Sequence, residues 1–123
     1  MAKLRILVAE DEALAAMAIE EELLAAGFEV DLAPDGQAAL EAARRDLPDL
    51  LLTDLRMPRL DGTALIRALR ALAPGLPVVV MTGYAGGHGP EAFRRPGEGP
   101  VAVFAKPLDM DAVLAEITLL LRG

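Results

Sequence analysis

The chain has 123 residues, enough for one buried core and little more. Hydrophobic residues make up 54% and charged residues 25%, which excludes a disordered chain, and aromatics at 3% leave the core to aliphatic side chains. The 19 acidic and 12 basic residues give a formal charge of −7 that disfavours nonspecific binding to nucleic acid or anionic lipid, and the absence of cysteine rules out disulfides, thiolate metal sites and Cys nucleophiles.

Five short apolar runs alternate with helical patterns, as in a parallel α/β sheet. The runs cover residues 4–9, 28–33, 50–53, 77–81 and 101–105. Runs one, three and four are almost continuously apolar, as strands covered by helices on both faces are. After the first run comes a helix whose apolar stripe is Ala16, Ile19, Leu23 and Ala26, with Gly27 as its stop. The second helix is predicted to start at Pro34-Asp35-Gly36, with Asp35 as N-cap, and to run to about Asp46. The third is predicted over residues 63–72, with Leu65, Leu69 and Leu72 in line, and the last over 109–121, with Val113, Ile117 and Leu121 inward. The fourth connection is different. From Tyr84 to Pro100 inclusive there are five glycines and three prolines, both opposed to helix, so only residues 90–95 are expected to make a short turn or two, with Pro90 at the first helical position. The segment is expected to be partly mobile.

No apolar stretch is long enough to cross a bilayer, and Glu10-Asp11-Glu12 interrupts the first run too early for a signal peptide. The Lys and Arg residues look scattered, and no linker or repeat divides the chain. The reading is a single domain, residues 1–123, in the cytoplasm.

In an open parallel sheet, ligands bind beyond the carboxyl ends of the strands, where the strand order reverses. Here those ends carry Glu10-Asp11-Glu12, Asp54, Thr82 and Lys106-Pro107. Each has a plain structural reading: acids favour helix N-termini, Asp54 could cap a helix, Lys106 could be a solvated strand end and Thr82 a strand residue. Asp54, however, follows Leu50-Leu51-Leu52-Thr53, where an unpaired buried carboxylate is costly.

Four segments together resemble the response-regulator receiver family of two-component systems. They are Ile6-Leu7-Val8-Ala9-Glu10-Asp11-Glu12, Asp54-Leu55-Arg56-Met57-Pro58-Arg59-Leu60-Asp61-Gly62, Val78-Val79-Val80-Met81-Thr82-Gly83 and Ala105-Lys106-Pro107-Leu108. Single-domain regulators and the C-terminal receivers of hybrid sensor kinases are both similar. The resemblance implies a flavodoxin-like (βα)5 sandwich with a parallel five-stranded sheet of order 2-1-3-4-5. It also implies a phosphoacceptor switch in which Asp54 is phosphorylated by a histidine kinase or histidine phosphotransfer protein, changing the binding of a downstream protein. Lys106 and Thr82 would contact the phosphoryl group, and Arg56 and Tyr84 would tune hydrolysis. The metal would be Mg2+, with Mn2+ as an alternative, held by Asp11, Asp54, Glu10 directly or through water, and the Arg56 carbonyl. Neighbouring carboxylates repel by about 4 kcal/mol at about 4 Å and an effective dielectric of about 20, which a hard, oxygen-preferring cation relieves. The family often has a cis peptide at the position of Lys106-Pro107.

Three departures stand out. Glu10 replaces a commoner Asp. Val103 occupies a position where the family often has Tyr or Phe, with Phe104 next to it, which puts the usual aromatic relay from Thr82 in doubt. The family's fourth helix is eroded, and the expectation is that this segment orders on phosphorylation or partner binding instead. His88, among glycines, reads as a loop residue. Two rival classes are an aspartyl-nucleophile phosphatase or phosphotransferase, which would carry an acid where Arg56 stands, and a pseudo-receiver that never takes phosphate. No phosphate-binding glycine motif follows the first strand, which disfavours a nucleotide-binding domain.

Overall fold

The computed structural model describes residues 3–83 and 89–122. Five strands, β1 (Arg5–Ala9), β2 (Glu29–Ala33), β3 (Leu50–Asp54), β4 (Val78–Thr82) and β5 (Val101–Ala105), form one parallel sheet in the order β2-β1-β3-β4-β5. The central strands are buried along nearly their whole length, whereas edge strands β2 and β5 are partly open. This is why only the central runs read as unbroken apolar sequence.

Helices α1 (Ala13–Ala25) and α4 (Met110–Arg122) cover one face, burying Ile19, Leu23, Val113 and Ile117 against Ile6, Val8, Leu52 and Met81. Helices α2 (Gly36–Arg45) and α3 (Gly62–Leu72) cover the other, where Ala39, Leu65 and Leu69 meet Leu7, Leu51 and Val80. The predicted stripes hold except at their ends: Ala26 is the exposed C-cap of α1, and Leu72 turns to solvent in the last turn of α3. α1 ends in a Schellman motif, with the Phe28 N–H donating to the Leu23 carbonyl and the Gly27 N–H to that of Leu24, and Gly27 takes φ +96°. Asp35 caps α2 as predicted, accepting from the Ala38 N–H at 2.8 Å. α3 begins one residue earlier than predicted because Asp61 caps it in the same way, through Ala64.

Among the described residues, the connection between β4 and β5 makes a short 3-10 turn, Pro90–Phe93. Its described part is tied to α3 by charge. Glu98 accepts from both terminal nitrogens of Arg67 at 3.0 and 2.7 Å, from Arg70 at 3.1 Å and from the Arg95 N–H at 2.9 Å. Four of the 12 basic residues are therefore not scattered: Arg67 and Arg70 lie one turn apart on α3 and meet the Arg94–Arg95 segment, about 25 residues away in sequence, around Glu98.

The Arg67 bonds, the Arg95 N–H and the Arg70 bond hold the Glu98 carboxyl down at about 2, against an ordinary 4.5. Between these two values an unfolded chain takes up the proton first, so the contribution of Glu98 is whole above about pH 5 and is lost on acidification. Wild type is expected to melt above Glu98→Gln at pH 6, with the gap shrinking steadily towards about pH 3. Equal melting curves at pH 6 would show that the cluster does not stabilise the fold.

Candidate functional site

The carboxyl ends of β3, β4 and β5 open into a cavity of about 320 Å³ lined by Asp54, Leu55, Arg56, Thr82, Gly83 and Lys106. Parallel strands in this order place Asp54 at the last position of β3, next to the end of β1, so the acids of both strands converge. One carboxylate oxygen from each of Glu10, Asp11 and Asp54 lies within 4.8 Å of the others, with Glu10 and Asp54 buried and Asp11 exposed. Lys106 reaches in from the end of β5. Its Nζ donates to Asp54 Oδ2 at 2.6 Å and to Glu10 Oε1 at 3.1 Å. The Lys106-Pro107 peptide is cis.

One ammonium cannot neutralise two buried carboxylates, and the proton equilibria reflect this. Burial, then the hydrogen bond and charge of Asp54, push the Glu10 carboxyl up to about 7 despite Lys106. Burial would also raise Asp54, yet the hydrogen bonds from Glu10 and Lys106 and the Arg56 N–H hold it below its ordinary value. Burial opposes the Lys106 charge, while Asp54 and Glu10 raise its pKa above the ordinary lysine value. Of the pair, Glu10 is thus the group that takes up a proton first on acidification, and Asp54 is the ionised, lysine-paired partner. Three crowded oxygen ligands that one ammonium only partly neutralises suit a hard divalent cation.

A family model described as "Response regulator receiver domain" matches residues 6–118. The chain belongs to the response-regulator receiver family. Among curated relatives, Response regulator MprA of Mycobacterium leprae is 37% identical over 119 residues, covering 97% of this chain and 51% of the relative. Transcriptional regulatory protein ZraR of Escherichia coli is 35% identical, covering 91% of the chain and 25% of the relative. The chain thus spans about half the length of the first of these proteins and a quarter of the second. The receiver domain of the hybrid histidine kinase CckA superposes with TM-score 0.78 at 31% identity, over 95% of this chain and 98% of that one. A CheY-like receiver from Methanospirillum hungatei gives TM-score 0.86 at 25% identity, over 98% and 95%.

The receiver therefore places Asp54, Arg56, Thr82 and Lys106 on one cavity and brings Glu10 and Asp11 up against Asp54 from the end of β1. Tyr84 and His88 lie outside the described residues. The departure at Val103 persists: Val103 is half-buried against the α2–α3 side of the core, and Phe104 packs on the opposite face.

Two features of the site depend on contacts that the sequence motifs do not describe. The first is the Glu10–Lys106 pair, 96 residues apart in sequence, which makes Glu10 a proton-holding partner as well as a candidate ligand. The second is Gly62. A Cβ there would stand 2.2 Å from the Asp54 carbonyl and 2.8 Å from the Leu55 Cα, both backbone atoms that cannot swing aside. The Gly62 N–H also donates to the Leu55 carbonyl at 2.8 Å, which folds the start of α3 onto the end of β3. Gly62→Ala is expected to displace the Asp54 backbone and cut the rate of phosphate incorporation at least tenfold, and to cost about 2 kcal/mol in urea unfolding. Wild-type incorporation and stability in this variant would show that the contact has slack.

Proposed function

We propose that this receiver is a phosphoacceptor switch in which Asp54 takes a phosphoryl group from a histidine kinase or histidine phosphotransfer protein and the altered surface changes binding to a downstream protein. The observation that carries this reading is the buried, ionised Asp54 carboxylate held at 2.6 Å by Lys106 beside two further acids. A carboxylate oxygen of Asp54 attacks phosphorus, the bond from phosphorus to the donor breaks, and the donor leaves with the electron pair, so an acyl phosphate forms. Asp54, Asp11, Glu10 and the Arg56 carbonyl would hold Mg2+ or Mn2+, which when bound supplies positive charge to the phosphoryl oxygens. The Lys106 ammonium stays close to Asp54 and faces the charge that builds on the transferring group. Thr82 lines the same cavity and supplies a hydroxyl whose contact to phosphate exists only in the phosphorylated state, which is the differential contact a two-state switch requires. Arg56, also on the rim, and Tyr84 tune attack by water.

The assignment covers residues 1–123 as one receiver domain in the cytoplasm, without direct binding to nucleic acid or membrane. Among the described residues no helix is long and apolar enough to cross a membrane. One relative is named as a protein-glutamate methylesterase, but the match spans only 29% of it, and receiver domains are in general signalling modules rather than enzymes. The phosphatase and pseudo-receiver alternatives gain no support from the relatives.

Incubation with acetyl phosphate and Mg2+ is expected to add one phosphoryl group by intact mass, and chelation of the metal to abolish the addition. No added mass under saturating donor and metal would assign the chain to the pseudo-receivers, and sustained turnover of a phosphomonoester to the phosphatases.

A further inference from the structure

Away from the phosphoacceptor cavity, a second cleft of about 280 Å³ opens between the first turns of α3 and the 3-10 turn, lined by Thr63, Ile66, Arg67, Phe93, Arg94 and Arg95. Its floor is apolar: Ile66 and Phe93 are almost wholly buried. Its walls are basic. Arg67, Arg94 and Arg95 line it and no acid does, with Glu91, Glu98 and the helix cap Asp61 close by, on a chain of net charge −7. Part of that positive charge is committed. Arg70 is buried against Glu98, and Arg67 binds Glu98 and the Phe93 carbonyl. Arg94 spends its Nε on the Glu98 and Gly99 carbonyls, leaving its terminal nitrogens over. No hydrogen bond or ion pair to another described residue uses the guanidinium of Arg95, whose residue is exposed.

From this arrangement we propose that the cleft is a docking site for a short acidic segment of a partner protein, with one aliphatic side chain seated on Ile66 and Phe93 and flanking carboxylates bound by Arg94 and Arg95. Charge complementarity selects the occupant. A nucleic acid would meet the field of the whole chain, which is negative, and would find no exposed aromatic face to stack on, since Phe93 is 5% exposed. A short peptide feels mainly the charges nearest to it, and the lining itself holds three arginines and no acid. Guanidinium groups match carboxylates in two-pronged geometry, so binding discriminates for carboxylate over a diffuse anion.

The test is fluorescence anisotropy with a labelled peptide of glutamates around one central leucine, against the same peptide with the leucine replaced by glycine and against a single-stranded oligonucleotide. Saturable binding of the leucine peptide is expected, weakened at least tenfold in the double variant Arg94→Glu, Arg95→Glu and weakened by added salt. That variant leaves phosphorylation by acetyl phosphate intact, which separates the docking site from the phosphoacceptor site. Should it fold poorly, Arg95→Gln alone is expected to weaken binding about threefold, since it removes one uncommitted guanidinium. Unchanged affinity in either folded variant, or absence of saturation at millimolar peptide, overturns the proposal. Equal binding of the glycine peptide removes the aliphatic anchor and with it the cleft, and equal or tighter binding of the oligonucleotide reassigns the surface to nucleic acid.

Discussion

Asp54→Asn is expected to gain no phosphoryl group from acetyl phosphate and Mg2+, under conditions that fully modify the wild type. The substitution keeps the shape of the side chain and removes its charge, so the loss isolates the nucleophile from the fold. An amide lacks the carboxylate oxygen pair from which an acyl phosphate forms. Lys106 keeps its second acceptor, Glu10, at 3.1 Å, so the cavity has no reason to collapse. The change also removes the hydrogen bond and charge of Asp54, which stand after burial among the causes that raise Glu10. The Glu10 carboxyl is therefore expected to titrate below its wild-type position near 7, readable by carboxyl NMR. The direction follows because Asp54 disfavours the ionised form of Glu10 and Lys106, which favours it, remains. Survival of the mass addition would place the phosphoacceptor elsewhere. A Glu10 titration that does not move would show that burial alone sets it.

Arg70→Ala is expected to cost about 3 kcal/mol of unfolding free energy and lower the melting midpoint by about 10 °C. The Arg70 side chain is 1% exposed and runs from α3 beneath the β4–β5 connection. Its Nε donates to the Leu76 carbonyl at 3.0 Å, and its terminal nitrogens donate to Glu98 and to the Pro100 carbonyl, both at 3.1 Å. Leu76 and Pro100 lie just before β4 and β5, so one guanidinium ties the N-terminal ends of two strands to α3. Truncation leaves a void and takes this donor from the Leu76 carbonyl, whereas the Pro100 carbonyl keeps the Val78 N–H. Arg70→Met fills most of the void and restores part of the loss, which separates packing from hydrogen bonding. Arg67→Met, at a position 26% exposed, is expected to cost less. Equal costs at the two positions, or a loss below about 1 kcal/mol at Arg70, would show that burial of this arginine contributes little.

The sequence by itself determined the sheet and the chemistry at its carboxyl edge. The unbroken runs that became β3 and β4 follow from strands buried on both faces, and the acids of Glu10, Asp11 and Asp54, with Thr82 and Lys106, each stand at a strand end. Local rules also placed Asp35 as a cap and Gly27 as a stop, because those signals act within one helical turn. Tertiary structure alone decided what depends on partners distant in the chain. Glu10 reads as one acid among three until Lys106 arrives from 96 residues away, and only their common burial beside Asp54 lifts its proton affinity. The arginines that look dispersed become one cluster because α3 and the β4–β5 connection pack together around Glu98, at a sequence separation of 28 residues from Arg70. Periodicity and motif spacing record local geometry and the ends of strands. Charge pairing across the fold leaves no periodic trace, since any exposed loop tolerates an arginine or a glutamate until a specific partner is brought within reach of it.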